Sequence, residues 1–511
     1  MAIHGRAEAS FAERARFAST AAWLPSVMAL TVVGGLVRFA GLGRQGLWVD
    51  ETVTASLLGR SLGEMLRELP ASESTPPLYY VIAWAWTRVV GDDPTAMRSL
   101  SALAGTLTIP VAYAAAATLV SRRAGIATAA IATVSPLLVW FSQEARSYAL
   151  LTLLCALSFA FFAASLQRRS HRVLAGWAIA SALALLTHYF AVFLVVVEAG
   201  ALLLASRRRA TVTAIAAVGI SGLAVLPLLV GQASGSATWI RHVDLSQRLG
   251  ETVRQLTIPS FPPIWAGADV AEGSSSWLWP LAVIVLLGAA ISAYVLGSAA
   301  ERSGVGLALL VGTAAVAGPV AFALAASVLT DGRGDFVLYR NLLPSWLPIA
   351  VVVAGGFAVR RAGWVGIGVV VLIVALSCGV LAQTWRDERF SRDDWPAVVR
   401  AIRPGAAVVL SPSWEVDALL YHAPQLTTNV GDAVEVDEID VVVRQRAPSY
   451  TTLVRDYEPP LPFRRVARSR VQHWEVTRFR SPAPVRLRFE MLNNPRPADA
   501  SRIILVDGAR D

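Results

Sequence analysis

From about Ala21 to Ala382 the chain consists of apolar runs separated by short polar or arginine-rich breaks, and after Gln383 that rhythm stops. A run of about 20 apolar residues crosses the hydrocarbon core of a bilayer. The runs predict helices at 21–39, 97–119, 124–141, 147–166, 173–188, 189–205, 211–230, 277–297, 304–329, 342–358 and 362–382, giving about eleven transmembrane helices. Only His188 and Tyr189 mark the division inside 173–205. The run from Pro76 to Val90 is short, Trp-rich and opened by two prolines. It predicts a helix lying at, or dipping into, the outer interface rather than a further crossing.

The breaks set an orientation. With residues 1–20 cytoplasmic, the inner breaks are Ser121-Arg122-Arg123, Gln167 to Arg172, Ser206 to Arg209, Gly297 to Gly304 and Arg360-Arg361. Nearly all are compact arginine clusters, as the positive-inside rule requires. The segments 41–96, 142–146, 231–276 and 330–341 then face outward and hold most of the acidic and aromatic loop residues. An odd number of crossings also puts residues 383–511 outside. The first apolar run is long enough to span, so it predicts a retained helix rather than a cleaved signal peptide.

In the tail, Ser391 to Trp395 opens a helix running to Ile402, with a serine or aspartate cap. Ala406 to Leu410 predicts a buried strand, Trp414 to Tyr421 a helix and Val441 to Val443 a second strand, followed by an Arg- and Pro-rich β-like end. This alternation points to a small α/β domain. The expected fold class is therefore an all-α polytopic membrane protein (21–382) with a small C-terminal extracytoplasmic α/β domain (383–511).

Composition narrows the function. The 511 residues are 55% hydrophobic and only 16% charged, far below the quarter that is usual in soluble domains. The net charge of +9 is carried by a chain whose 45 basic residues are all arginine. Their placement between apolar runs serves topology rather than nucleic acid, and no nucleic-acid partner is expected. Cys155 and Cys378 both fall inside predicted helices, which leaves no disulfide framework or Cys-based zinc site. There is no P-loop, dinucleotide fingerprint or His/Cys cluster with metal spacing. Group-transfer potential must come from another source, such as an activated lipid.

The outer segments carry the candidate chemistry. Trp48-Val49-Asp50-Glu51 puts two adjacent carboxylates just after the first span, where charge is costly unless solvated, paired or functional. The plain alternative makes Asp50 the cap of a helix over 51–60 with Glu51 in its first turn. Gln143-Glu144-Ala145-Arg146-Ser147-Tyr148 gathers an acid, a base and a phenol in one short turn on the same face. An Arg–Glu pair tying down the loop is the plain reading there. His188 and Tyr189 form a third outer element, and Arg241 and His242 lie in the long 231–276 loop. Arg340 stands at the outer mouth of a helix, where its fork suits a phosphate or snorkels to lipid headgroups.

Trp48-x-Asp50-Glu51, Pro76-Pro77-Leu78-Tyr79-Tyr80, Ser142 to Tyr148, Thr187-His188-Tyr189 and Arg340-Asn341-Leu342-Leu343-Pro344 together resemble the GT-C glycosyltransferase superfamily. More narrowly they are similar to its protein-O-mannosyltransferase, aminoarabinose-transferase and Rgt-like branch. The resemblance covers about residues 20–380. It implies transfer of a sugar from a polyprenyl-phosphate donor, by direct displacement at the anomeric carbon, to a glycan, lipid or protein acceptor outside the membrane. It implies Asp50 as general base with Glu51 supporting it. Tyr79, Tyr80, Glu144, Arg146, Tyr148 and His188 would line the substrate site, and Arg340 and Arg241 would hold the donor phosphate. No obligatory cofactor is expected; the glutamate at 144 and the lack of a metal motif in 231–276 leave a divalent metal undecided. A transporter or flippase of lipid-linked sugars is the alternative, and would call for charges or broken helices near the bilayer midplane and inverted repeats. Glu198 and Arg38 are the main charges within the spans, and no repeat is evident. A non-catalytic assembly or sensor protein is the third reading. Only the enzyme predicts that the acidic outer loops converge.

Overall fold

The computed structural model describes residues 23–232, 240, 243–261, 278–329, 336–428, 433–445, 458–459, 461–488 and 503–507. In chain order the helices of the membrane body are α1 (Leu24–Phe39), α2 (Val49–Leu58), α3 (Leu62–Ser72), α4 (Leu78–Val90), α5 (Pro94–Leu119), α6 (Arg122–Val134), α7 (Pro136–Ser142), α8 (Tyr148–Gln167), α9 (His171–Thr187), α10 (Ala191–Ala205), α11 (Arg209–Ala224), α12 (Leu226–Gln232), α13 (Leu245–Thr257), α14 (Trp279–Leu296), α15 (Ala299–Leu329), α16 (Trp346–Phe357) and α17 (Gly363–Arg386). Each predicted apolar segment coincides with one of these helices or with a bent pair of them. Among the described residues six helices are long and apolar enough to cross a membrane, and α6 with α7 makes a seventh if that bent pair is one span. Four shorter apolar helices of 10–17 residues, among them α1, α9 and α10, join them.

Between helices in lipid, close packing rather than hydrophobic exclusion supplies much of the attraction, so small residues mark the contacts. Ala112, Ala115 and Ala116 of α5 are fully buried, as are Ala124 and Ala129 of α6. A Cβ on Gly125 would lie 2.8 Å from the Tyr113 ring and 2.9 Å from the Ala117 methyl, so the two helices meet almost backbone to backbone. Glu198 sits midway along α10 and is fully buried, where it accepts from Trp177 Nε1 at 2.9 Å and from Ser158 Oγ. It pins α8, α9 and α10 together.

The break between α6 and α7 aims the second loop. Pro136 has no N–H, so it cannot continue the helical ladder, and the two pieces are bent by 54°. The carbonyls released at the bend are taken by buried Arg38 of α1, which donates to Ala132 O at 2.7 Å and Thr133 O at 2.9 Å. Gln143 then returns the support, its Nε2 donating to Ala40 O at 2.9 Å and Arg38 O at 3.2 Å at the end of α1.

Three short helices fold over the membrane body in the 41–96 segment. The cap of α2 is Trp48, not Asp50, which lies inside the first helical turn. Helix α3 starts with a capping box, Ser61 N donating to Glu64 Oε2 at 3.0 Å, and buries Met65 and Leu69 one turn apart. Helix α4 buries Tyr79, Tyr80, Ala83 and Thr87 along one face, while Val89 is almost wholly exposed. The 231–276 segment, expected as a loop, holds amphipathic α13, which packs on α14 and α16.

The C-terminal part is an α/β domain. Two helices, α18 (Trp395–Ala401) and α19 (Val416–His422), pack on a six-stranded sheet. The strands are β1 (Ala407–Ser411), β2 (Leu426–Thr427), β3 (Ala433–Arg444), β4 (Arg464–Val471), β5 (Trp474–Arg488) and β6 (Ile503–Asp507), in the order β2-β6-β1-β3-β5-β4. Strands β1 and β3 run parallel and the other pairs antiparallel. Asp394 caps α18, accepting from Ala397 N at 3.0 Å.

Replacing Arg38 by methionine keeps the bulk but leaves the Ala132 and Thr133 carbonyls unpaired. The expected loss is roughly 2–6 kcal/mol, at about 1–3 kcal/mol per unsatisfied buried group. It is read as a lower thermal unfolding midpoint of the purified protein; an unchanged midpoint would rule out carbonyl pairing at the bend as the reason for this buried arginine.

Candidate functional site

A cavity of about 280 Å³ opens where the first two loops meet the start of α10, the end of α12 and the turn at 336–341. Asp50, Glu73, Arg146, Tyr148, His188 and Arg340 line it. Asp50 Oδ2 and Arg340 Nη1 face each other at 3.7 Å, with the side chains 31% and 21% exposed. An acid and a base therefore share one partly hydrated mouth. The Arg340 guanidinium also lies 5.9 Å from the centre of the Tyr148 ring.

The backbone around Asp50 is clamped. Arg146 Nη1 donates to Asp50 O and to Thr54 Oγ1, both at 3.2 Å, holding the first turns of α2. Its guanidinium is also paired with both oxygens of buried Glu73, at the end of α3. The Arg–Glu tie expected within the 142–146 loop thus exists, but the acid is Glu73 rather than Glu144. Arg340 is held by its own turn, where Asn341 Nδ2 donates to Phe336 O at 2.8 Å. Buried Arg248 of α13 reaches the same turn, donating to Val337 O at 2.8 Å. Tyr189 Oη donates to Gln232 Oε1 at 2.7 Å and Gln232 Nε2 to Thr75 O at 3.4 Å, closing the far wall. His188 Nδ1 accepts from Phe190 N at 3.2 Å.

Glu51 turns away from the cavity. It is fully buried and accepts from Arg98 Nε at 2.8 Å, Arg98 Nη2 at 2.5 Å, Arg392 Nη1 at 2.9 Å and Ala145 N at 2.8 Å. Burial alone would raise its pKa, but Arg392 and Arg98 outweigh burial and hold the carboxyl at about 2. Arg98 spends its remaining donors on the carbonyls of Leu42, Gln45 and Gly46. Glu51, expected to support Asp50, is a buried tie that fixes the helix carrying it and takes no place in the cavity.

Three other expected site residues also stand off the cavity. Tyr79 and Tyr80 are buried in the core beneath the first loop, because α4 turns that face inward. The Tyr80 hydroxyl accepts from Thr75 Oγ1 at 3.4 Å. Glu144 is buried behind the wall, and its Oε2 has no hydrogen-bond partner among the described residues. Arg241 and His242 lie outside the described residues. Sequence reasoning missed Glu73, Arg98 and Gln232. Arg98 alone carried a usable signal, an arginine opening an apolar run, which is costly unless paired. Among the described residues no three of His, Cys, Asp or Glu group as metal ligands would.

Burial pushes the Glu144 carboxyl up to about 7; Arg392 offsets part of this, and the negative charges of Glu51 and Asp50 add to it. An unfolded glutamate titrates near about 4.3, so between that pH and about 7 the native state keeps a proton the unfolded state has lost. Stability therefore falls as pH rises through this window and stays lower above it. Glu144→Gln is expected to shrink the drop in thermal midpoint between about pH 5.5 and about pH 8. Equal drops in both proteins would clear Glu144 as the source.

Residues 74–230, from just before α4 into α12, match the family model described as dolichyl-phosphate-mannose-protein mannosyltransferase. None of the curated proteins compared with the chain matches it. Among solved structures, ArnT from Cupriavidus metallidurans in the apo state is 16% identical with a TM-score of 0.45, covering 75% of this chain and 70% of its own. The Archaeoglobus fulgidus oligosaccharyltransferase is 13% identical with a TM-score of 0.38, covering 77% of this chain and 57% of its own. At such TM-scores these two likenesses carry no weight. The family match covers less than a third of the chain and falls on the segment that supplies Arg146, Tyr148, His188 and the α6–α7 bend; over that segment the chain is similar to the mannosyltransferase family.

Proposed function

We propose that the protein transfers a sugar from a polyprenyl-phosphate donor to a hydroxyl of a glycan, lipid or protein acceptor, with Asp50 as general base. The observation that carries this reading is the Asp50–Arg340 pair, 3.7 Å apart at the mouth of the cavity. The description of the matching family names a dolichyl-phosphate-linked mannose; only the polyprenyl-phosphate class of donor is carried over here. The arginine-cluster topology supports a cytoplasmic N-terminus, with the site and the C-terminal domain on the other side of the membrane.

In this reaction the acceptor oxygen attacks the anomeric carbon as Asp50 takes its proton. A carbon–oxygen bond forms on one face of the sugar while the bond to the phosphate breaks on the other. The electron pair leaves with the polyprenyl phosphate, whose growing charge Arg340 receives. Preorganised donors aimed at developing charge are among the largest contributions to such steps. Before donor binds, Arg340 lies against Asp50. Donor phosphate competes for the guanidinium and frees the carboxylate to act as base. Tyr148, against which Arg340 rests, keeps the arginine at the mouth during the exchange.

Asp50→Asn is expected to lower transfer from a polyprenyl-phosphate sugar by at least about 100-fold, the scale of general-base catalysis. The assay is mass-spectrometric detection of the glycosylated acceptor in membranes with equal protein levels, and retained activity would sink Asp50 as the base. Arg340→Ala should lower kcat by roughly 100- to 1000-fold, with Arg340→Lys recovering part of the loss because it restores charge but not the planar fork. A kcat unchanged in Arg340→Ala would remove it from the leaving-group role.

A further inference from the structure

We infer that the C-terminal α/β domain holds the Asp50 helix in register from outside the membrane body, with Arg392 as the positioning residue. The inference rests on the transferase reading for its activity measurement only.

Arg392 lies between the end of α17 and the start of α18, where the chain leaves the membrane body for the domain. Its side chain points back into that body. Nη1 donates to Glu51 Oε2 at 2.9 Å, its backbone N donates to Gln45 Oε1 at 3.2 Å, and its guanidinium lies 5.5 Å from the Trp140 ring centre. One residue thus touches the first loop, α2 and α7.

The next residue fixes Arg392 from the domain side. Asp393 is buried, accepting from Trp474 Nε1 at 3.0 Å and from Arg444 Nη1 at 3.0 Å, and Arg444 also reaches Glu415 at 2.7 Å. Arg392 is therefore carried on a backbone anchored to β3 and β5. Two further contacts join the same surfaces. A Cβ on Gly46 would lie 2.5 Å from the Asp393 carbonyl oxygen, so loop and domain meet at a distance only glycine allows. Val49, the first residue of α2, packs into the domain core of Trp395, Leu419 and Trp474, and α2 lies against α19.

The consequence concerns Asp50, which lies between Val49 and Glu51. Val49 is held by the domain and Glu51 by Arg392 and Arg98, one to either side of Asp50 around α2. Asp50 is left on the cavity side, facing Arg340. Losing Arg392 would leave Glu51 buried with one cation instead of two, and a buried charge that loses a partner drives rearrangement. The helix would shift and the base would lose its aim, while the donor site, built from other segments, would stay.

The test uses the full-length protein in nanodiscs, with Arg392→Gln, Arg392→Lys and, from the loop side, Gly46→Ala. Hydrogen exchange and transfer kinetics are measured on each. Arg392→Gln and Gly46→Ala are both expected to speed exchange of amides 47–58 at least about tenfold, with β1 and α8 unchanged. In Arg392→Gln, kcat should drop at least about tenfold while the donor KM stays within about threefold, and Arg392→Lys should recover part of both effects. Unchanged exchange over 47–58 would overturn the inference, as would exchange raised equally throughout the domain or a loss confined to donor KM. If the wild-type protein transfers no sugar from any polyprenyl-phosphate donor, the transferase reading falls, while the exchange measurement still decides the positioning role.

Discussion

Glu51 keeps its charge without water because two arginines reach it, one from α5 and one from the entrance to the C-terminal domain. A lone ionised carboxylate in such a place would cost far more than a fold can bear, so it would neutralise or move. With both arginines present, its four short bonds connect four stretches distant in sequence: α2, α5, the 142–146 loop and residue 392. The rest of the site hangs from this junction. It fixes the turn at 42–46 through Arg98, the second loop through Ala145 and the domain through Arg392.

The second loop needs its own support, because it leaves a helix broken by proline. Arg38 satisfies the carbonyls that the break releases, and Gln143 caps the helix that supplies Arg38. Arg146 can then reach Glu73 and the Asp50 carbonyl together. Each of these arginines is buried and costly in isolation. Each is spent on backbone carbonyls or carboxylates that would otherwise be unpaired in a region of low dielectric. The effect is rigidity where the loops cross.

Against that rigid frame, the Asp50–Arg340 pair is loose and partly wet, at 3.7 Å and with both side chains partly exposed. A pair of this kind is weak enough for a phosphate to divide, whereas the Glu51 and Glu73 pairs are not. Protection of the frame and exposure of the Asp50–Arg340 pair follow from one arrangement of charges.

The sequence by itself determined the apolar segments, the separate α/β tail and the presence of acids in the 41–96 and 142–146 segments; the bend at Pro136, inside a helix expected unbroken over 124–141, is set locally but went unpredicted. Those features are local, set by runs of about 20 apolar residues, by a missing N–H and by a change in composition. Apart from the family resemblance, nothing in the sequence separated Asp50 from Glu51, since adjacent carboxylates look alike until a helix turns one toward the cavity and the other toward Arg98 and Arg392. Nor did it find Glu73 as the partner of Arg146, 73 positions away, or show that Tyr79, Tyr80 and Glu144 face inward. Those outcomes depend on which charges meet in space. Only the tertiary structure decides that, because an ion pair is selected by burial and distance rather than by position along the chain.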